Sequence, residues 1–205
     1  MFDNCYQTIK EPTSGLFKDK GSRFIGFAYP VKTEAEIKAI LAEVKKKYHD
    51  ATHHCYAYLL GGWGTPLYRL NDDGEPSATA GKPIYGQIIS RNLKNILVIV
   101  VRYFGGIKLG VSGLINAYKE TTAITLNNAQ IITLKIYKKY KIQFEYSLMN
   151  TIMQILKSPQ VEIVDNNYKD SSVIIDFKVV IDFSEQIATQ LEKVYGAKLE
   201  FICVE

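Results

Sequence analysis

Four glycines, Gly105, Gly106, Gly110 and Gly113, stand within nine residues, with Arg102 just before them and Lys108 and Ser112 among them. Backbone stripped of side chains and flanked by cations is a common means of approaching a phosphate. Gly105 to Ser112 has the spacing of the nucleotide-binding loop G-x-x-x-x-G-K-S, except that Val111 stands where the lysine belongs. That lysine reaches the outer phosphates, so its loss argues against hydrolysis of nucleoside triphosphates. Lys108, together with unpaired N–H groups of a helix expected to start at Ser112, can still meet a phosphate. The same residues also suit a plain strand-to-helix turn, with positive φ at Gly105 or Gly106 and Lys108 in solvent. Both readings stay open at the level of sequence.

A second run, Asp72 to Pro83, carries three carboxylates in four residues, Asp72, Asp73 and Glu75, and then Gly81-Lys82-Pro83. Clustered carboxylates can hold Mg²⁺ or another hard cation, although the spacing is not that of a calcium-binding loop. The structural alternative is a turn at Asp73-Gly74 with Glu75 answering a cation such as Arg102. Lys82, at an expected helix start, is a further candidate anion contact. His53, His54 and Cys55 invite a zinc reading, but no second pair of ligands completes a tetrahedral set. Hydrogen-bonded strand histidines are the expected outcome, and no metal or cofactor is expected. Ser77 and Ser112 lie near glycines without a nucleophile elbow. Either His53 or His54 with Asp72 or Asp73 would make a base and its orienter only if the fold joined them. No catalytic residue is assigned.

The elements that must position these groups read as follows. Ser22 to Tyr29 is a strand ended by Pro30. Thr33 caps a helix to about Tyr48, with Glu34 and Glu36 in the first turn and Lys45, Lys46 and Lys47 in the last, the order that the helix dipole favours. His53 to Leu60 is a strand, Leu67 to Leu70 a short extended piece, and Lys82-Pro83 opens a helix that buries Ile84 and Ile88. Ile96 to Val101 lacks polar alternation and reads as a central strand covered on both faces. A helix from Ser112 to about Asn127 presents Leu114, Ile115, Tyr118 and Thr122 on one side. Beyond a boundary near residues 129–134, Lys135 to Tyr146 reads as a strand, Leu148 to Leu156 as a helix and Val161 to Val164 as a strand. Asp165-Asn166-Asn167 follows as a turn, Val173 to Ile181 as a strand, a helix capped by Ser184 comes next, and Lys198 to Val204 is the last strand. The order is βαββαβ, a ferredoxin-like arrangement.

Bulk properties narrow the class. The 205 residues are 47% hydrophobic and 22% charged, ordinary for an α+β chain with one large or two small cores. Three scattered cysteines, Cys5, Cys55 and Cys203, fit a reducing compartment better than a disulfide framework. The N-terminus lacks the pattern of an export signal, and the Ile96–Val101 run is far too short to span a bilayer. A cytoplasmic protein without membrane partners is therefore expected. Residues 1–128 hold 16 Lys and Arg against 11 Asp and Glu, whereas the remainder holds 9 against 10. The modest positive excess of the first part is compatible with an anionic partner. The Val173 to Val179 strand lacks the basic, multi-aromatic motif of RNA-recognition sheets, so base stacking on that sheet is not expected.

Four segments carry a family resemblance: Ser22-Arg23-Phe24-Ile25, Ala51 to Ala57, Asp72 to Pro83 and Asn95 to Tyr118. The chain resembles the Impact family, in particular its bacterial two-domain, YigZ-type members. The resemblance implies an N-terminal domain over 1–130 with the fold of ribosomal protein S5 domain 2. It also implies a C-terminal ferredoxin-like domain over 135–205, similar to a domain of elongation factor G. Eukaryotic members regulate translation by competing with a starvation-sensing kinase for its ribosome-associated activator, and they carry an RWD domain not found in this chain. The implied role is accordingly a general link to translation or the ribosome. The expected function is a non-enzymatic regulator that binds RNA or a ribonucleoprotein through the basic glycine-rich surface. Its contacts would be Lys82, Arg102, Gly105, Gly106, Lys108 and Ser112. The alternative is an enzyme acting on a phosphorylated small molecule, with Mg²⁺ at Asp72, Asp73 or Glu75. Nothing in the residues specifies an oligomeric state.

Overall fold

The computed structural model describes residues 4–169 and 172–205. The chain is α+β and divides into two compact units, one spanning Tyr6–Leu134 and the other Lys135–Glu205 joined by Asn4 and Cys5.

The strands of the first unit, whose first and last run one residue past its bounds, are β1 (Cys5–Ile9), β2 (Thr13–Asp19), β3 (Ser22–Pro30), β4 (His53–Leu60), β5 (Leu67–Asn71), β6 (Ile96–Tyr103) and β7 (Ile131–Lys135). The helices are α1 (Glu34–Lys47), α2 (Gly81–Ser90) and α3 (Gly110–Asn127). Strands β2-β3-β6-β4-β5 form a five-stranded sheet, and β1 pairs with β7 apart from it. β6 sits in the middle, antiparallel to β3 on one side and β4 on the other. Its side chains alternate between two cores. Ile96, Val98 and Val100 pack with Ile84 and Ile88 of α2 and with Leu114 and Tyr118 of α3. Leu97, Ile99 and Val101 pack with Ile37 and Val44 of α1. A strand covered on both faces needs apolar residues at every position, hence the unbroken run.

α1 begins as its sequence specifies: the Thr33 hydroxyl accepts from Glu36 N–H at 3.2 Å, and the Glu36 carboxylate accepts from Lys32 N–H at 2.8 Å. α3 begins at Gly110, two residues before Ser112, so Ser112 lies inside the first turn and does not cap it. Ile115, expected on the buried side, is 39% exposed, whereas Leu114, Tyr118 and Thr122 are buried.

The second unit follows the βαββαβ order: β8 (Tyr137–Glu145), α4 (Met149–Leu156), β9 (Val161–Lys169), β10 (Ser172–Val180), α5 (Ser184–Glu192) and β11 (Lys198–Val204). The sheet order is β11-β8-β10-β9, all antiparallel. Ile152 and Leu156 of α4 and Ile187 and Leu191 of α5 pack on the Val173, Ile175, Phe177 and Val179 side of β10.

Three local expectations are corrected. Asp165-Asn166-Asn167 is not a turn but part of β9, which pairs with β10 through a register shift at Asp176/Phe177. β9 is an edge strand, where polar side chains are tolerated. Lys135 to Tyr146 is not one strand. Ile136 interrupts it, buried, with its N–H donating to Asn4 O at 2.8 Å and its carbonyl accepting from Ile181 N–H at 3.0 Å. Ser184 is the first residue of α5, and its hydroxyl donates back to Ile181 O at 2.7 Å in place of capping.

Candidate functional site

The antiparallel pairing of β4 with β6 sets His53 directly opposite Arg102, so their side chains are neighbours on one face. Arg102 does not stand free. Its side chain is 7% exposed and its Nη1 donates to Glu75 Oε1 at 2.6 Å, within a Glu75 side chain that is 3% exposed. The Tyr118 hydroxyl, projecting from α3, donates to the same oxygen at 2.8 Å. Cys55 Sγ lies 3.3 Å from that hydroxyl and 3.0 Å from Asp72 O. Burial pushes both the Cys55 thiol and the Tyr118 phenol upward from their ordinary values, so each stays protonated. His53 Nδ1 is 2.8 Å from Asp73 O. A carbonyl oxygen only accepts, so Nδ1 carries a hydrogen and donates it. Nε2 lies 3.9 Å from Glu75 Oε2.

The three carboxylates of the acidic turn serve three separate tasks. Asp72 Oδ1 accepts from Ala80 N–H at 3.0 Å and Gly81 N–H at 2.8 Å, and Oδ2 accepts from Ala78 N–H at 2.9 Å. It thereby satisfies the start of α2, whose N-cap residue Ala80 has no side-chain group for the purpose. Asp73 Oδ2 accepts from His54 N–H at 2.7 Å, and Oδ1 meets Lys45 Nζ at 3.4 Å. Glu75 holds Arg102 and Tyr118. His54 Nε2 is 2.9 Å from Tyr48 O, so both strand histidines are hydrogen-bonded to backbone carbonyls. Among the described residues no group of three or more His, Cys, Asp or Glu is arranged to hold a metal ion.

The glycine loop folds for two different reasons. Gly106 takes φ +87°, the left-handed region that favours glycine. Gly105 is required by contact: a Cβ there would sit 1.9 Å from Gly21 C and 2.1 Å from Ser22 N. The close approach lets Gly105 N–H donate to Ser22 Oγ at 3.2 Å, which ties the loop to the start of β3.

Between this loop, α3 and the strand ends lies a groove of about 530 Å³. Its polar base is His53, Glu75 and Arg102, and Leu109, Val111 and Leu114 form an apolar side. Phe104 and Lys108 also line it, both exposed. The Arg102 guanidinium carbon is 5.3 Å from the Phe24 ring centre and 5.6 Å from that of Phe104. Arg102 Nε is buried and has no hydrogen-bond partner among the described residues.

Of the residues singled out in the sequence, Arg102, Lys108 and Glu75 meet in this groove. Gly105, Gly106 and Ser112 shape the loop and helix beside it but do not line it, and neither does Lys82, which is exposed at the start of α2. His53, Phe104 and Tyr118 were not assigned to a binding surface by sequence reasoning. A tyrosine on the buried side of a helix needs a partner for its hydroxyl, and an aromatic next to paired glycines is poorly shielded; those two signals were available for Tyr118 and Phe104.

The Impact N-terminal domain family matches residues 20–126, which contain the whole groove. The IMPACT family member YvyE of Bacillus subtilis is 33% identical over 182 residues, 89% of this chain and 82% of its own. The chain belongs to the Impact family. A crystal structure of a hypothetical protein aligns with TM-score 0.73 at 27% identity, covering 99% of this chain and 98% of the other. A more distant structural link is to the two-domain translational regulator Yih1, at 25% identity and TM-score 0.39, covering 63% of this chain and 48% of that one. Among the described residues no helix is long and apolar enough to cross a membrane.

Proposed function

We propose that this Impact-family chain is a cytoplasmic, translation-associated regulator that binds RNA or a ribonucleoprotein through the glycine-loop face of its N-terminal unit. Within the family it reads as a two-domain, YigZ-type member, with an N-terminal fold like ribosomal protein S5 domain 2 and a ferredoxin-like C-terminal domain. The match to YvyE extends over both units and supports the two-domain reading.

One observation carries the binding proposal. Phe104, 49% exposed, and Lys108 line the same groove, offering an aromatic surface and an exposed cation together. Single-stranded RNA is held by that combination, bases on aromatic faces and phosphates on basic side chains. Lys108, and Lys82 beyond the groove, are the phosphate contacts in this reading. Gly105, Gly106 and Ser112 shape the face, and Arg102 supports it from below through Glu75. The carboxylates needed for a Mg²⁺-dependent enzyme are already engaged one by one, so the enzymatic alternative gains no support from the geometry.

The test is fluorescence anisotropy with a labelled single-stranded RNA over a salt series. Binding weakens with salt, and Lys108→Glu combined with Lys82→Glu weakens it further and flattens the salt dependence. A folded protein that binds no RNA at low salt, alone or in the presence of ribosomal subunits, overturns the proposal.

A further inference from the structure

We infer that β11 pairs antiparallel with β11 of a second copy of this chain, about a two-fold axis between Phe201 and Ile202. This interface lies in the second unit and is independent of the RNA-binding reading. The sheet order β11-β8-β10-β9 leaves two open edges. An open edge presents unpaired N–H and C=O groups and is ordinarily guarded by polar side chains. β9 follows that rule, with Asp165, Asn166 and Asn167 at its middle. β11 does not: Phe201, Ile202, Cys203 and Val204 are consecutive and all exposed.

The register with β8 decides which backbone groups are free. Glu205 and Tyr137 exchange both of their N–H···O=C bonds at 2.8 Å, so Glu205 turns toward β8 and Val204 points its groups outward. The same alternation along β8 turns Lys198 and Glu200 inward and Leu199 and Phe201 outward. Leu199 and Val204 stand an odd number of positions apart, and the register shift between Phe201 and Cys203 is what lets both face the open edge. A second β11 laid antiparallel then sets Leu199 opposite Val204 of the second copy and Phe201 opposite its Ile202, apolar against apolar. On the other face of the sheet, Lys198 meets Glu205 of the second copy, and the two-fold axis repeats that ion pair. Sliding either strand by one position separates Lys198 from Glu205 and sets Glu200 against Ile202 or Val204. Glu205 lies 3.9 Å from Lys178, but Lys178 is already answered by Glu162 at 3.1 Å, which leaves Glu205 available. An unrelated apolar peptide covers Phe201 and Ile202 equally well; the matched charges at both ends select a second copy of this strand.

The experiment is sedimentation velocity on the full chain under reducing conditions, at concentrations up to about 1 mM. A monomer–dimer equilibrium is expected within that range. Lys198→Glu opposes like charges at both ends of the paired strands and raises the dissociation constant about ten-fold or more. Adding Glu205→Lys restores the parent value. Val204→Pro removes an outward N–H without breaking a bond to β8, and it abolishes the dimer. The register is read by a disulfide. Glu200 stands opposite Cys203 of the second copy at a non-hydrogen-bonded position, where Cα atoms are about 4.5 Å apart and a disulfide can close. Glu200→Cys is expected to form a covalent dimer on mild oxidation, with or without Cys5→Ser, whereas the parent, whose two Cys203 are not opposed, does not. Circular dichroism checks that the variants are folded; Lys198, Glu200, Val204 and Glu205 are all exposed. A parent that stays monomeric up to about 1 mM overturns the proposal. So does a dimer indifferent to both Lys198→Glu and Val204→Pro. A Glu200→Cys chain that crosslinks no faster than the parent overturns the register.

Discussion

Arg102 and Glu75 form an ion pair, Nη1 to Oε1 at 2.6 Å, with both side chains more than nine-tenths buried. The pair joins the central strand β6 to the acidic turn, and Tyr118 ties the same carboxylate oxygen to α3. Three sequence-distant segments therefore meet on one oxygen atom, and the base of the groove is fixed by it.

Removing one member of a buried pair leaves the other charged and unanswered, which costs about 3–5 kcal/mol. Glu75→Ala is expected to fall in that range in urea unfolding, and Arg102→Ala likewise. Replacing both, as in Arg102→Met with Glu75→Leu, is expected to recover much of the loss, because no lone charge remains. A cost below about 1 kcal/mol for Glu75→Ala would show that the pair is solvated.

Two glycines make opposite predictions. Gly105→Ala pushes a methyl group into Gly21 and Ser22 backbone at 1.9 and 2.1 Å, which cannot be relieved by a side-chain rotation. It is expected to cost about 3 kcal/mol, the magnitude of a severe backbone or packing lesion. Gly86, inside α2, meets nothing within 4 Å and has an ordinary φ. Gly86→Ala is expected to stabilise by roughly 0.5–1 kcal/mol through the lower entropy of the unfolded chain. Thermal melts of the two variants beside the parent separate them by sign.

The contrast between those glycines also marks what sequence can convey. The central position of β6 was legible because two-sided burial demands an unbroken apolar run, and α1 because its cap and charges are local. Short β1 and β7 were not read: each has five residues, and they pair across more than a hundred positions. β2, Thr13–Asp19, carries Gly15 and two charged residues and lacks a clean strand pattern. The glycine loop was recognisable as special, yet two readings of it survived. Whether Arg102 is free or consumed depends on Glu75, 27 residues away, and no local pattern encodes that distance. Asp72 shows the same limit: it caps α2 from eight and nine residues upstream, outside the usual N-cap position.

Alkaline pH probes the buried network. Cys55 and Tyr118 are both raised by burial above their ordinary values of 9.0 and 10.0. In the unfolded chain each loses its proton above those values, while the folded state retains it. The unfolded state then binds fewer protons, so stability is intact below pH 9 and falls as pH rises. The slope is about 1.4 kcal/mol per pH unit from Cys55, joined by a similar one from Tyr118 above pH 10. Cys55→Ser removes the first contribution. Urea midpoints at pH 8, 9 and 10 are expected to fall less between 9 and 10 in that variant than in the parent. Identical slopes would show that the thiol is not held protonated by the fold.

Asp72 decides between a helix cap and a metal ligand, because the two roles respond oppositely to added Mg²⁺. As a cap, its carboxylate satisfies three backbone N–H groups at 2.8–3.0 Å, those of Ala78, Ala80 and Gly81. Asp72→Ala leaves those donors unpaired and is expected to cost about 2 kcal/mol, the upper end for an N-cap. Asp72→Asn keeps one acceptor oxygen but turns an amide toward a backbone donor, so an intermediate loss is expected. As a metal ligand, the same oxygens would bind only the folded state, and Mg²⁺ would raise the melting temperature in proportion to RT ln(1 + [Mg²⁺]/Kd). The geometry therefore predicts a parent melting temperature that does not respond to millimolar Mg²⁺ and an Asp72→Ala that melts lower with or without it. A Mg²⁺-dependent rise in the parent that disappears in Asp72→Ala would reassign the turn from a structural cap to a cation site and revive the phosphoryl-ligand alternative.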